Sequence, residues 1–569
     1  MTIDISVLVG GEAGQGIQTV GILMARTCHA AGLYVMMIND FESRIRGGHN
    51  FIQLRISNRP ILGPARKNQL IIALDDKTSA LHAFDLADDG ITLFSSKEEA
   101  AQGQHPDSRG IDFDGLAKKA GHRILSNTVA AGACLSLLGA PFNFFEKTLN
   151  RMFVDLDKER IEQNIQAAKE GYQVVADLTF KHKFPWKPQT PKGRLIDGAQ
   201  AVAFGALAGD CRFSAFYPMS PATGIIQSLN EWGADLPLVV EQAEDEIAAV
   251  NMVIGAAFAG VRALTATSGG GFALMAEGLG LSGMTETPIV VVDAQRPGPA
   301  TGLPTRTAQA DLQFVIHAAQ DEFPRFVFAP GTPYEAYRVT ARALDLSDRF
   351  QVPSIILVDQ YLVDSVFVAE ESFEVPESVR RYTIGDNDMK SPESYRRYAL
   401  TESGISPRAL PCQGRALVKV CSDEHSEEGH ITEESDMRDA MVKKRHAKLE
   451  AMLREIRPPN LYYGDAETLL FCWGSMQGAM QEAVEQLRAK GMDCGGVHFV
   501  DLWPFPDAAV KNILGNAKQF VTIEQNHTAQ LGLLIRQQTG LAYTDAVLKT
   551  SGRPMRADEI SRALQTMLT

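Results

Sequence analysis

The chain lacks any C-x-x-C pair. Its seven cysteines stand apart at positions 28, 134, 211, 412, 421, 472 and 494. A structural zinc or a cysteine-ligated iron–sulfur cluster needs clustered thiolates, so neither is expected within this chain. Sparse, unpaired cysteines predict the reducing cytoplasm. Positive charge is also short: 55 Lys and Arg face 69 Asp and Glu, a formal net charge of −14. That balance excludes nucleic acid and anionic membrane as main partners, since both require a basic face. No apolar run approaches the ~18 residues of a membrane span. The N-terminal segment enters a glycine turn after a short apolar run and has no signal-peptide features. No solenoid-period repeat is present, and the twelve histidines show no metal-ligand spacing. His425 and His430, five apart in an acidic stretch, read as solvated. What remains is 569 residues with 45% hydrophobic and 22% charged content, ordinary globular composition. At about 150 residues per domain, that length predicts roughly three to four domains.

Residues 1–180 open with an apolar strand at 5–9, a glycine turn and an apolar-periodic helix at 17–31, the start of an α/β unit. Further strands are expected at 34–38, 51–56 and 70–74. A small-residue helix at 127–138 should pack closely on a neighbour. Residues 181–194 hold three prolines and five Lys or Arg and read as an extended, solvated linker. Residues 195–368 alternate strand signals with Ala- and Gly-rich helices, which predicts a parallel sheet covered on both faces. Residues 369–460 are polar and irregular. Eight carboxylates between Asp423 and Asp439 precede a basic helix at 441–457, and the charge run reads as a solvated surface or a helix lying across a partner. Residues 461–569 again alternate strands and helices, as in a compact α/β domain.

Six segments stand out as candidates for chemistry. Gly10–Gly16 (GGEAGQG) lies between strand and helix, where backbone N–H groups approach a phosphate; a tight structural turn fits equally well. It is neither G-x-G-x-x-G nor a Walker A loop. Arg44 and Arg46 before Gly47-Gly48, with Arg55 beyond, form either a phosphate clamp or surface salt bridges. Tyr217–Thr223 (YPMSPAT) would fix the Ser220 hydroxyl at a strand's C-terminal edge, or be a plain Pro-rich turn. Glu246 opens a helix with no further charge, which should therefore be buried; its carboxylate is a dipole partner or a functional acid. Thr265–Gly271 (TATSGGG) and Asp293–Gly302 (DAQRPGPATG) follow strands, and Arg296 is placed as a carboxylate ligand or as a structural loop arginine.

Taken in order, these segments resemble the 2-oxoacid:ferredoxin oxidoreductases. VGGEAGQGIQTVGILMAR and SRIRGGHNFIQLRIS look like a γ domain. FYPMSPAT, EDEIAAVNMVIGAAFAG and TATSGGG through DAQRPGPATGLPT look like the α subunit's pyrimidine-binding domain. SYRRYALTESGISPRALP and SDEHSEEGHITEESDMRDAMVKKR are similar to the 2-oxoglutarate subgroup, and VTIEQNHTAQLGLLIRQ to a transketolase C-terminal-like domain. The resemblance implies an α/β fold of several doubly wound domains. A γ domain would occupy 1–180, a linker 181–194, the thiamine pyrimidine-binding domain 195–368, a polar connecting region 369–460 and the transketolase C-terminal-like domain 461–569. It implies the reversible conversion of 2-oxoglutarate, CoA and oxidised ferredoxin to succinyl-CoA, CO2 and reduced ferredoxin. The same chemistry on pyruvate, a branched-chain 2-oxoacid or indolepyruvate is the alternative, and a non-catalytic CoA-binding scaffold a further one.

By that resemblance Glu246 hydrogen-bonds the aminopyrimidine of thiamine diphosphate. Ser220, Thr223 and Arg296 contact substrate, and Gly14, Gln15, Gly16, Arg44 and Arg46 are candidates for CoA. The family's diphosphate motif G-D-G is not met at Gly209-Asp210, Gly385-Asp386 or Gly464-Asp465. A β subunit is therefore expected to bring the diphosphate site, Mg2+ and a [4Fe–4S] cluster, in a heterotetramer built as a dimer of αβ heterodimers that serves ferredoxin.

Overall fold

The computed structural model describes residues 3–43, 47–96, 108–187, 190–385, 395–413, 417–514 and 517–568. Two compact units emerge. One comprises Met1–Asp197 with Asp364–Ser372, the other Gly198–Val363 with Phe373–Thr569.

The first unit is built on an eight-stranded mixed sheet. Its central strand, Asp4–Gly11, is buried along all but its first residue. On one side it runs parallel to Asn68–Ala73, then Leu86–Ser95 and Arg109–Ile111. On the other it is antiparallel to Asn50–Ser57, followed by Tyr34–Asp40, Val366–Ala369 and Arg194–Asp197. The small-residue helix, Ser126–Leu137, finds its neighbour in Lys158–Val174. A Cβ on Gly132 would sit 2.6 Å from the Ala168 carbonyl, and one on Gly171 2.1 Å from that of Val129. Only glycine permits so close an approach. The proline- and lysine-rich stretch is less solvated than its composition predicts. Phe184 is buried, and Trp186 Nε1 donates to the Leu138 carbonyl at 2.8 Å. Two aromatic side chains outweigh the lysines around them.

The second unit holds two sheets. In the seven-stranded one, Phe326–Phe328, Ser354–Asp359, Val290–Gln295, Arg262–Thr267, Cys211–Phe216 and Val239–Gln242 are all parallel, and Asp501–Trp503 adds an antiparallel edge. Arg262–Thr267, Val290–Gln295 and Ser354–Asp359 are buried at every position, as expected for a parallel sheet covered on both faces. The five-stranded sheet contains Cys494–Phe499, Thr468–Trp473, Gln519–Glu524 and Asp545–Leu548 in parallel, with Asn460–Tyr462 antiparallel at its edge.

Three sequence expectations need correction here. The charged helix spans Ser435–Glu455, and its face of Met441, Lys444, Arg445, Lys448 and Met452 is buried. Carboxylates of the same unit receive it: Lys444 and Lys448 both pair with the buried Glu286, at 2.5 and 2.6 Å, and Arg445 and Arg438 pair with the partly buried Glu424, at 2.8 and 2.7 Å. Burial alone would raise both acids. The ammonium charges hold Glu286 well below the usual carboxylate range, and guanidinium hydrogen bonds hold Glu424 at about 2. His425 is likewise buried rather than solvated, its ring 3.9 Å from that of Tyr398, and burial lowers its pKa. Conversely, the uncharged helix Glu246–Phe258 is buried on one face only. Ile247 is 50% and Met252 37% exposed, because only the stripe through Ala249, Val250, Val253 and Ala257 meets the sheet.

Candidate active site

The parallel strands of the seven-stranded sheet end on the same edge, where α/β sheets place ligands. Four of the sequence's marked turns meet there, following Cys211–Phe216, Val239–Gln242, Arg262–Thr267 and Val290–Gln295. Asp245 caps the helix that Glu246 opens, its carboxylate accepting from Ala248 N at 2.7 Å. This leaves Glu246 free of capping duty. Glu246 is 3% exposed, and its Oε1 is buried with no hydrogen-bond partner. A Cβ on Gly271 would lie 2.6 Å from that oxygen and 2.0 Å from Thr267 Oγ1. Glu246 and Thr267 therefore pack directly against Gly271, where any side chain larger than hydrogen would displace them.

Arg296 Nη1 donates to the Ser220 carbonyl at 2.6 Å. Two residues separated by 76 positions are thus brought into contact across the intervening strand. Burial lowers the Arg296 pKa, and the Glu246 charge opposes that shift. Arginine and glutamate therefore share one electrostatic neighbourhood. Ser220 is exposed, and Thr223 opens the helix Thr223–Gly233 behind it. The arrangement offers a carboxylate-binding cation, an exposed hydroxyl and a buried acid with an unused oxygen. Those are the elements needed to hold an oxoacid beside a nitrogen heterocycle. Among the described residues no group of three or more His, Cys, Asp or Glu is placed to hold a metal. Asp210, in the first of the G-D sequences, is engaged by Arg212 and Arg381 at 2.5 and 3.6 Å.

In the first unit, the Gly10–Gly16 turn borders a cavity of about 320 Å³ lined in part by Glu12, Gly14, Gly16, Asn39, Asp40 and Phe51. Gly14 and Gly16 take φ of +91° and +70°, and Gly16 leads into the helix Ile17–Ala30. Gln15 turns inward as a staple, its Oε1 accepting from Glu12 N at 2.7 Å. Arg55 is committed to Asp4 at 2.6 Å rather than to a phosphate clamp. Arg44 and Arg46 lie outside the described residues.

Sequence reasoning passed over several buried polar groups. Glu524 is wholly buried and accepts from Trp473 Nε1, Asn526 Nδ2, Thr522 Oγ1 and the backbone N–H groups of Leu531 and Gly532. Gln309 ties the two sheets together, donating to the Trp473 carbonyl at 2.8 Å and accepting from Gln525 N at 3.1 Å. Asp293 and Asp311 sit beside the glycine turn, the former with both carboxylate oxygens unpartnered. A lone acid ending an apolar strand was the available signal.

Comparison with known proteins places this geometry in context. Residues 204–444 match the family described as pyruvate flavodoxin/ferredoxin oxidoreductase, thiamine diP-bdg. Residues 6–174 match pyruvate ferredoxin/flavodoxin oxidoreductase, and 466–560 match pyruvate:ferredoxin oxidoreductase core domain II. The 2-oxoacid:ferredoxin oxidoreductase subunit alpha of a Sulfolobus species is 33% identical over 98% of this chain and 96% of its own length. The 2-oxoglutarate oxidoreductase subunit KorA of Mycobacterium tuberculosis is 28% identical over 99% and 92%. The solved structure of the 2-oxoglutarate:ferredoxin oxidoreductase from Magnetococcus marinus, with 2-oxoglutarate, coenzyme A and succinyl-CoA bound, superposes with a TM-score of 0.92 over all of both chains at 29% identity.

Proposed function

This chain belongs to the 2-oxoacid:ferredoxin oxidoreductase α-subunit family, and from that membership we propose that it is the α/γ subunit of a thiamine diphosphate-dependent 2-oxoglutarate:ferredoxin oxidoreductase. The observation that carries the reading is the buried, unpartnered Oε1 of Glu246 at the sheet's ligand edge, with Arg296 beside it. A buried acceptor of that kind calls for a donor from a ligand. The aminopyrimidine of thiamine diphosphate fits, and the bound cofactor supplies the carbanion chemistry.

This chain's residues then do the following. Glu246 holds the ring nitrogen through a hydrogen bond strengthened by burial. Gly271 lets Glu246 and Thr267 pack against the start of the helix Gly269–Leu274. Arg296 is held by the Ser220 carbonyl and presents its remaining donors to the substrate carboxylate. The Ser220 hydroxyl and Thr223 line the oxoacid's approach. The first-unit cavity at Gly14 and Gly16 takes part of CoA.

The diphosphate, Mg2+ and [4Fe–4S] cluster belong to a β subunit in a cytoplasmic dimer of αβ heterodimers that reduces ferredoxin. One feature supports a partner at this site. The apolar face of Ile247, Met252 and Leu274 stands exposed around Glu246, where a soluble monomer would carry charge.

The test is a complex reconstituted with the β subunit and assayed for CoA-dependent viologen reduction across a panel of 2-oxoacids. 2-Oxoglutarate should be the preferred substrate. Glu246→Ala should lower turnover by about 10²–10⁴-fold in a folded protein. Turnover by the purified chain alone, or a fully active Glu246→Ala complex, would overturn the reading.

A further inference from the structure

The second unit has a cavity that the oxoacid and thiamine readings leave unused. It lies at the edge where the strands of the seven-stranded sheet begin, opposite the edge that carries Glu246. Its volume is about 610 Å³, and Arg349, Gln351 and two stretches of the connecting region, within 380–384 and 403–408, line it. That lining holds four arginines (Arg349, Arg380, Arg381 and Arg408) and four hydroxyl groups (Tyr382, Thr383, Ser403 and Ser406), with no Asp or Glu. It runs against a chain whose formal net charge is −14. We propose that this cavity binds a phosphorylated small molecule of nucleotide size.

The walls are tied together by hydrogen bonds. Gln351 follows the helix Pro333–Phe350 and precedes the strand Ser354–Asp359, and its Nε2 donates to the Ser406 carbonyl at 2.7 Å. The two connecting stretches meet where Ile384 N donates to the Arg408 carbonyl at 2.9 Å. Arg262 Nη2, from the start of the strand Arg262–Thr267, holds the Arg380 carbonyl at 2.8 Å. Arg408 and Arg381 also grip the carbonyls of Ala257 and Gly260, at 3.0 and 2.6 Å, where the helix Glu246–Phe258 ends.

Cations outnumber carboxylates around this cavity. Asp348 is 1% exposed and answers three arginines: Arg262 at 3.3 Å, Arg381 at 3.2 Å and Arg408 at 2.9 Å. Arg381 also reaches Asp210 at 3.6 Å, which Arg212 already binds. Arg397 Nη1 donates to Gln351 Oε1 at 2.8 Å, and its other partners are the carbonyls of Thr285 and Glu286. The Glu286 carboxylate is itself taken by Lys444 and Lys448. Burial lowers Arg408 to about 10; Asp348 opposes that shift, while Arg397 and Arg381 add to it. A bound anion would offset this crowding of positive charge.

Two of the lining arginines have donors to spare. Arg380 is exposed, stands 5.0 Å over the Tyr382 ring and has no carboxylate partner among the described residues. Arg349 is 40% exposed and gives Nη1 to Glu455 at 2.8 Å. The charges of both bear on Tyr382, so they converge on one wall. Planar guanidinium forks bind phosphate oxygens in pairs, and stacking on Tyr382 steadies one of them. The volume lies within the roughly 300–1,000 Å³ of small-molecule sites, more than one phosphate group fills. Size and surplus positive charge together select a nucleoside di- or triphosphate.

Isothermal titration calorimetry on the purified full chain, without Mg2+ and at low ionic strength, tests this with ADP, ATP, pyrophosphate and citrate. ADP or ATP should bind saturably. Arg380→Glu should weaken that binding about 10-fold or more. Arg380 is exposed and only its backbone carbonyl is held, so the variant should unfold in urea as the native chain does. The same reversal at Arg160, exposed in the first unit, should leave binding intact. Absence of saturable binding overturns the proposal, and so does binding that Arg380→Glu leaves unchanged. Equal losses in both variants reduce the effect to net charge and overturn the site. Citrate bound as tightly as ADP overturns the phosphate class, and pyrophosphate bound as tightly overturns the nucleotide size.

Discussion

Glu286→Gln tests the buried charge cluster most directly. Glu286, Lys444 and Lys448 each leave about 1% of their side chain exposed, and the one carboxylate faces two ammonium groups. Removing its charge leaves both cations buried without a counter-charge, which typically costs 3–5 kcal/mol. A ceiling follows from titration. Rather than stay charged, one lysine enters the fold neutral, and stripping it at pH 7 from an unfolded pKa of about 10.4 costs roughly 4.6 kcal/mol. Burial has already lowered Lys444 to about 8 with Glu286 present, so it is the group to yield. The variant should then lose about 4–5 kcal/mol at pH 7, and roughly 5–10 °C in Tm.

The sign of the pH dependence is fixed as well. In the variant the unfolded chain binds one proton more than the folded chain, so its stability rises with pH by about 1.4 kcal/mol per unit. In the native protein Lys444 titrates near 8 when folded, so its stability rises by only about 0.4 kcal/mol over the same unit. The gap between the two should therefore narrow by about 1 kcal/mol from pH 7 to pH 8. Urea unfolding followed by tryptophan fluorescence at both pH values is the assay. A variant as stable as the native chain at pH 7, or a gap that widens with pH, would refute the reasoning.

Two further perturbations probe the site and its support. Gly271→Ala would place a methyl 2.0 Å from Thr267 Oγ1 and 2.6 Å from Glu246 Oε1, which must push Glu246 from its place. The chain should fold with a loss of about 1–3 kcal/mol, and calorimetry on the reconstituted complex should show thiamine diphosphate binding lost. Unchanged binding would place the cofactor elsewhere. Glu524→Gln turns one amide donor toward a cluster of five N–H and O–H donors, which should cost about 2–3 kcal/mol in urea unfolding. A neutral result there would show that the carboxylate is dispensable to the C-terminal sheet.

Much of the fold was legible because parallel strands bury both faces and therefore appear as short apolar runs between helical periods. The turns at Gly10–Gly16, Tyr217–Thr223, Thr265–Gly271 and Asp293–Gly302 were legible because glycine and proline mark where a chain must bend tightly. Glu246 was legible as the last charge before an uncharged helix. The Ser435–Glu455 helix misled for the opposite reason. A run of lysine and arginine does not reveal its counter-charge when that counter-charge is Glu286, some 160 positions away.

The sequence by itself determined the order of strands and turns and the motifs that carry the likeness to this family. Those properties are local: they depend on which residues adjoin one another along the chain. Only the tertiary structure decided that Arg296 is braced by Ser220, that Glu246 and Thr267 both pack against Gly271, and that Asp293 is wholly buried. It also decided that the face around Glu246 is left apolar and open. Desolvation and long-range pairing depend on what surrounds a group in space, and one-dimensional spacing carries no record of that.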